Sequence, residues 1–181
     1  AAELAYEILI ENDGNNFIYA PLVNYADHTF GVCKKMLDDK NAIMGLGDGG
    51  AHVGFILDAG YPTWLISYWS VKEKAFSMEE TVRRLTSDTA NAAGLKDRGL
   101  LKVGLKADIN IIDWENVGSS DPFMTQDLPA GGKRLMQHTK GYVTTIVSGV
   151  VTYKNGKFTK ERPGTVVKSV KDEEKTLEFI N

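Results

Sequence analysis

The spacing of apolar residues changes along this chain at Gly94. Before this glycine, apolar residues recur at helical spacing. After it, short runs of β-branched and aromatic residues are separated by turns that contain glycine. Helical spacing buries one face of a helix, whereas short runs between turns are typical of antiparallel strands. The sequence therefore predicts an α/β protein in which residues 1–93 and 94–181 fold differently.

The first part of the chain predicts two helices with a short strand between them. Residues 2–11 have apolar side chains at helical spacing, and the polar run 12–15 ends this helix. The strand is predicted at residues 17–22. Asp27 is placed to cap the second helix, and the polar cluster 38–41 ends it. The apolar face of the second helix comprises Phe30, Cys33 and Leu37.

Two further elements are predicted before Gly94. The apolar run at residues 42–46 predicts a buried strand. Ser77 and Glu80 have the spacing of a capping box, in which the two residues satisfy each other's free backbone N–H groups. This motif predicts the start of a helix with an apolar stripe of Met78, Val82 and Leu85.

The second part of the chain predicts a small antiparallel sheet. Glycine-containing turns are expected at residues 148–149 and 155–156, and the Asn-Gly pair in the second turn is a strong hairpin signal. The many glycines and prolines of residues 115–140 predict a long ordered loop. The predicted strands are residues 109–114, 142–147, 150–154 and 157–159.

Composition argues against several classes of partner. With 181 residues and 43% hydrophobic content, the chain can bury a core. A net charge of -3 without a basic cluster argues against nucleic-acid binding. No apolar run is long enough to span a bilayer, so we expect a soluble protein. The one cysteine, Cys33, indicates a reducing compartment and hence a cytoplasmic location.

A glycine-flanked carboxylate is the strongest candidate for chemistry. The predicted strand at residues 42–46 leads into Gly47, Asp48, Gly49 and Gly50, and His52 follows. In α/β proteins, catalytic groups gather at the carboxyl ends of strands, and glycine permits close approach of the backbone to a substrate. Asp-Gly is also a common turn signal, so this segment alone leaves both a turn and an active site open.

Four segments together resemble the amidohydrolase superfamily. Residues 94–113 look like that family's passage from its last barrel helix into a small β domain. Residues 45–53, 127–135 and 141–164 are similar to the branch of D-aminoacylases and N-acyl-D-amino-acid deacylases. The resemblance covers nearly the whole chain, but it aligns with only the C-terminal part of the family. Whether the chain is a natural short protein or a fragment stays open.

The resemblance implies the end of a metal-dependent hydrolase barrel. Residues 1–93 would supply the last strands and helices of a (β/α)8 barrel. Residues 94–181 would supply part of a small β-sandwich domain, with the loop 115–140 inside it. The family's metal ligands come mostly from earlier strands, and the three histidines here lack the family's His-x-His spacing. We therefore expect zinc in the complete enzyme, and leave open that this chain alone binds none.

The resemblance also assigns roles near the carboxylate. Asp48 matches the family aspartate that acts as general base toward the attacking water and then passes the proton to the departing amine. It is at most a weak metal ligand. Gly49 and Gly50 would let the loop lie close to the substrate, whereas Gly47 stands where relatives often carry serine. His52 either contacts the substrate or only caps and packs its loop.

Other polar and aromatic residues have simpler interpretations. His28 and His138 are expected to be structural, and Lys133 and Arg134 to be solvated, although these two cations can in principle meet a substrate carboxylate. Four aromatic residues follow the predicted Asp48 loop at helical spacing. This spacing is more typical of a core or an interface than of a ligand site. The four residues are Tyr61, Trp64, Tyr68 and Trp69.

Two functions remain open from the sequence. The first is hydrolysis of the amide bond of small N-acyl-(D-)amino acids, with activity only when the missing barrel region is supplied. The second is a non-catalytic scaffold or interaction module that retains the amidohydrolase tail. Because an incomplete barrel exposes strand edges and apolar faces, we expect a homo-oligomer or a complementing polypeptide.

Overall fold

The computed structural model describes residues 1–20, 23–25, 27–45, 47 and 52–168. The sequence-based predictions for Leu46, Asp48, Gly49 and Gly50 lie outside these residues. Helices dominate the first part of the chain, and a π-helical segment, Leu65–Lys72, directly follows the third helix. The α-helices are α1 (Ala2–Gly14), α2 (Gly31–Asp38), α3 (Tyr61–Trp64), α4 (Met78–Leu85) and α5 (Ser87–Ala92).

Strands dominate the second part, as the change of spacing at Gly94 predicts. They form a four-stranded sheet in the order β1-β6-β7-β8 and two separate two-stranded pairs, β2 with β5 and β3 with β4. The strands are β1 (Ile109–Ile112), β2 (Gly118–Ser119), β3 (Phe123–Leu128), β4 (Gly132–Met136), β5 (Thr139–Lys140), β6 (Tyr142–Val147), β7 (Val150–Lys154) and β8 (Lys157–Phe158).

The two predicted turns of the main sheet are confirmed. Ser148 and Gly149 join β6 to β7 with φ angles of 50° and 81°, and Asn155 and Gly156 join β7 to β8 with φ angles of 49° and 73°. Two successive positive φ angles are the signature of the tight turns whose twist matches an antiparallel hairpin. The bounds of β6 and β7 agree with the prediction, while β1 and β8 are shorter than predicted.

The prediction of a loop at residues 115–140 is wrong. This segment contains four strands, and β3 and β4 pair as an antiparallel hairpin around the 3-10 turn Pro129–Gly131. Its glycines and prolines are concentrated at strand ends and in the turn, where Ala130 has a φ of 57° and Gly131 a φ of 73°. Counting turn residues over the whole segment therefore obscured the strands between them.

The predicted strands in the first part of the chain are absent from the residues that are described. Residues 17–20 and 42–45 lie outside regular secondary structure, and every strand pair among the described residues is antiparallel. A buried parallel strand depends on hydrogen-bonding neighbours at both edges. The described residues supply no such neighbours here. The mixed α/β character is thus observed, and the barrel tail stays a proposal.

The core of the helical part forms where α2 packs on the π-helical segment. Leu65, Trp69 and Phe76 are the buried cluster, and Phe30 and Cys33 pack against it, as the predicted face of the second helix requires. The start of α2 differs from the prediction: Phe30 is its N-cap. Asp27 instead accepts hydrogen bonds from the backbone and hydroxyl of Thr29, which lower the pKa of Asp27.

The cap of α4 is confirmed, but its partner bond and buried face differ from the prediction. The Ser77 hydroxyl accepts a hydrogen bond from the Glu80 backbone N–H at 3.1 Å. The Glu80 carboxylate accepts two bonds from Arg84 instead of completing the box. Arg84 also donates to the Leu37 carbonyl at 2.6 Å, which ties α4 to α2. The fully buried residue of the helix is Thr81.

The exposed side chains of α4 correct the predicted stripe. Met78 and Val82 are 48% and 43% exposed, whereas Leu85 packs against the core cluster. The face that carries Thr81, Arg84 and Leu85 is turned inward instead, where Arg84 donates to the Leu37 carbonyl. Among the described residues, no helix is both long enough and apolar enough to cross a membrane.

Replacement of the α4 cap tests this description. We expect Ser77→Ala to lower the free energy of unfolding by about 1 kcal/mol, because one backbone N–H at the helix start loses its acceptor. Ser77→Asp keeps an acceptor and should stay close to the parent protein. Urea unfolding followed by circular dichroism measures both. An equal decrease in the free energy of unfolding in the two variants would contradict a capping role.

Candidate functional site

A cavity of about 400 Å³ lies between α2 and the helical segment formed by α3 and the π-helix. One wall comes from α2 and its N-cap, and the other from α3 and the π-helical segment. Asn24, Met44 and Gly45 complete the lining. The two walls include Phe30, Cys33, Met36, Tyr61, Trp64 and Trp69.

Aromatic packing sets the shape of this cavity. The Phe30 ring is at the centre of the wall, with centroids 6.1 Å from Trp64, 5.3 Å from Tyr68 and 6.3 Å from Trp69. Trp64 stacks on Tyr68 at 4.6 Å with an interplanar angle of 7°. Such geometries add attraction beyond the burial of apolar area. The walls of the cavity are therefore held in place by contacts between rings.

The π-helical segment explains how these rings are placed. The Glu73 backbone N–H donates to the Tyr68 carbonyl five residues earlier, at 2.8 Å. Trp69, within this segment, is 8% exposed, whereas Trp64, five residues earlier at the end of α3, is 47% exposed. The prediction of a core role is thus confirmed for Trp69. Trp64 lies at the open side of the cavity. π-Helical turns are rare and occur often at functional sites.

Gly47 is held against the start of α3. A Cβ atom at this position would lie 2.2 Å from the Asp58 carbonyl oxygen and 2.9 Å from a ring carbon of Tyr61. Only glycine allows the backbone to approach this closely. The absence of a serine side chain here thus has a steric cause. Because Tyr61 lines the cavity, the residue that precedes Asp48 in the sequence lies beside the cavity.

His52 forms a turn just after the undescribed residues. Its φ is 50°, and its carbonyl accepts hydrogen bonds from the N–H groups of Phe55 and Ile56 at 2.9 and 3.0 Å. Its ring stacks on Phe55 with a centroid distance of 5.1 Å. These contacts agree with the interpretation that His52 caps and packs its loop. Its contact with a substrate stays a proposal.

The same turn is tied to the hairpin formed by β3 and β4. The Leu135 backbone N–H donates to the Val53 carbonyl at 2.7 Å. Within the hairpin, Arg134 donates to both carboxylate oxygens of Asp127 at 2.7 and 2.6 Å. These bonds hold the pKa of Asp127 below its ordinary value and raise that of Arg134. Arg134 is thus engaged by a carboxylate of its own chain.

The described residues do not fit a metal ion. No group of three histidine, cysteine, aspartate or glutamate side chains comes together within the described ranges. His28 has its ring edge-on to Tyr25 at 6.1 Å, and His138 packs on Phe123 at 4.8 Å. Both histidines have the structural contacts expected of them. We therefore derive no metal-dependent step from the described residues.

The cavity is the feature that sequence reasoning missed. Helical spacing identified the apolar face of α2, and the aromatic spacing identified the helix opposite. Neither pattern contains the information that the two faces meet at an angle that leaves space between them. The run of four aromatic residues beside a predicted catalytic loop was the available signal.

Comparison with known proteins identifies the family. The model of the amidohydrolase family matches residues 20–153, so the chain belongs to this family. A dihydroorotase from Lactobacillus acidophilus is 34% identical over 89 residues, which are 47% of this chain and 20% of the relative. The match thus spans about a fifth of the curated relative's length. No solved structure matches the chain.

Substitution of Gly47 tests the close approach at α3. We expect Gly47→Ala to destabilise the fold by about 1–3 kcal/mol, because the added methyl group overlaps the Asp58 carbonyl and forces the backbone apart. Gly54→Ala is the matched control, since a Cβ at Gly54 meets nothing within 4 Å. Thermal unfolding measures both. Equal melting temperatures for the two variants would contradict the packing described here.

Proposed function

We propose that this chain is the C-terminal part of a metal-dependent amidohydrolase that cleaves the amide bond of N-acyl-(D-)amino acids. The observation that carries the proposal is the family match, which runs through the Asp48 segment, the cavity and most of the β strands. The similarity of residues 45–53 and 127–135 to the deacylase branch supports the substrate class. Division at residue 93 into a barrel part and a β-domain part belongs to the same proposal.

Asp48 is the proposed catalytic residue. An ordinary aspartate is ionised at neutral pH, so it can take a proton from water as that water attacks the amide carbon. The proton then goes to the departing nitrogen, and the products are a carboxylate and an amine. Gly49, Gly50 and His52 are proposed to border the substrate. General bases of this kind contribute about 10²- to 10⁴-fold to rate.

Zinc is the proposed metal of the complete enzyme, where it supplies polarisation of the scissile carbonyl. The residues that hold it are proposed to lie outside the described part of this chain or in a partner. We accordingly expect no N-acyl-D-amino-acid hydrolysis by the purified 181-residue chain alone. Unaided hydrolysis with stoichiometric zinc would contradict this division of the site.

The dihydroorotase relative favours a second substrate class. Its name denotes action on dihydroorotate, a cyclic amide, and the bond type is shared with N-acyl amino acids. Assays with N-acetyl-D-amino acids and with dihydroorotate in parallel separate the two classes. Activity on dihydroorotate alone would replace the deacylase proposal while keeping an amide-hydrolysing site.

Substitution of Asp48 tests catalysis in the longest natural form of the protein. We expect Asp48→Asn to lower kcat by about 100-fold or more, because the amide cannot accept the proton from water. Asp39→Asn is the matched control: Asp39 is exposed and accepts a hydrogen bond from the Asn41 N–H, which an asparagine oxygen can also accept. Unchanged activity in both variants would favour the non-catalytic scaffold.

Association is proposed for the isolated chain, with another copy or with a complementing polypeptide. The support is α1, which has no buried residue and exposes Leu4, Tyr6 and Ile10. A helix whose apolar side chains are exposed and that has no buried face is typical of an element that another chain covers. Light scattering after size exclusion should give a mass of at least two chains, or one chain plus its partner. A monodisperse monomer at all protein concentrations, also after addition of the candidate complementing polypeptide, would contradict the proposed association.

A further inference from the structure

We infer that the cavity between α2 and the π-helical segment binds the aromatic ring of an N-acylated aromatic amino acid. The inference deepens the proposed function and rests on it for the identity of the substrate. Ring binding itself is a property of the described residues. Leu65 and Trp69 form the wall of the cavity on the side of the core. Met36 and Trp64 lie at its open side.

The volume of the cavity suits a ring with its linking carbon. At about 400 Å³ the cavity falls within the range of about 300–1,000 Å³ typical of small-molecule pockets. A closed apolar cavity of about 150 Å³ already accepts benzene. A methyl group such as the alanine side chain would leave most of this volume unfilled and would gain little.

The chemistry of the walls favours a ring over a charged or polar group. None of the lining residues carries a formal charge; Asn24 is polar, and its backbone carbonyl accepts a hydrogen bond from the Cys33 thiol at 3.6 Å. Phe30, Tyr61 and Trp64 offer ring faces and edges, and Met36 and Met44 offer thioether sulfur atoms, which attract aromatic rings. A carboxylate inside would lose its hydration without gaining a cation. The carboxylate and amide of the ligand therefore stay outside.

The cavity is formed before any ligand arrives. Its wall on the core side consists of Leu65 and Trp69, which are 1% and 8% exposed and belong to the buried cluster. Its open side has Trp64 and Met36, which are 47% and 46% exposed. A ring can enter past these two side chains without disturbing the core. Binding to a preformed site avoids the free-energy cost of ordering the walls.

The cavity lies next to residues that directly precede Asp48 in the sequence. Met44 and Gly45 line it, and Gly47 lies against Tyr61 in its wall. The segment that precedes Asp48 in the sequence therefore lies in or against the wall of the cavity. This placement makes the cavity a determinant of side-chain specificity.

Cys33 offers a direct measurement, because it lines the cavity and is the one cysteine of the chain. The full 181-residue chain is treated with N-ethylmaleimide, with and without N-acetyl-D-phenylalanine. At ligand concentrations about ten times Kd, we expect the rate of Cys33 modification to fall about tenfold, since only unoccupied protein reacts. N-acetyl-D-alanine has the same amide and carboxylate and should give no protection at equal concentration.

Two variants locate the protection. Trp64→Ala removes one ring wall that is not part of the buried cluster, and we expect the ligand concentration for half protection to rise about tenfold. Trp114→Ala is the matched control, because Trp114 does not line the cavity, and it should leave protection unchanged. Circular dichroism of both variants reports whether the fold is retained.

Each outcome decides for or against the inference. Equal protection by the phenylalanine and alanine ligands, no protection by either, or unchanged protection in Trp64→Ala would overturn it. Failure of Cys33 to react in the free chain would also overturn it, since the cavity would then be closed to a small ring. Protection of Cys33 by the phenylalanine ligand alone would support ring binding in the cavity. If the longest natural form then showed no amide hydrolysis, ring binding would stand and the proposed function would be rejected.

Discussion

The packing of α2 on the π-helical segment is the interaction on which the helical part of this protein depends. Leu65, Trp69 and Phe76 are its buried centre. The ring of Phe30, the N-cap of α2, contacts Tyr68 and Trp69 of the π-helical segment and Trp64 of α3. Full burial of side chains of this size contributes about 1.5–3 kcal/mol each. Arg84 adds a directional tie by donating to the Leu37 carbonyl. The cavity exists because rigid rings meet there without filling the space between them.

The connection between the two parts of the chain positions the proposed site. The turn at His52 is bonded through Val53 to Leu135 of the β3–β4 hairpin. On its other side, Gly47 lies against Asp58 and Tyr61 at the start of α3. The segment between these two anchors contains Asp48. In the sequence, Asp48 thus lies between one contact to α3 and one hydrogen bond to the β3–β4 hairpin.

Local sequence signals predicted those elements whose stability is local. The Asn155–Gly156 and Ser148–Gly149 turns and the Ser77 cap depend on neighbouring backbone groups, and all are observed. The β3–β4 hairpin was missed because glycines and prolines at its strand ends and in its turn gave residues 115–140 the composition of a loop. The strand predicted at residues 42–46 depends on neighbouring strands, and residues 42–45 lie outside regular structure here.

For the candidate site, the sequence by itself determined the family, and it predicted the carboxylate of the proposed chemistry and located the aromatic residues that follow it. Those are properties of residue order, and the family match supports the first. Only the tertiary structure decided that the rings surround a cavity, that Gly47 must lack a side chain and that His52 forms a turn. Each of these depends on the distance between groups far apart in the chain or on a backbone angle. Packing sets those quantities, and residue spacing does not encode them.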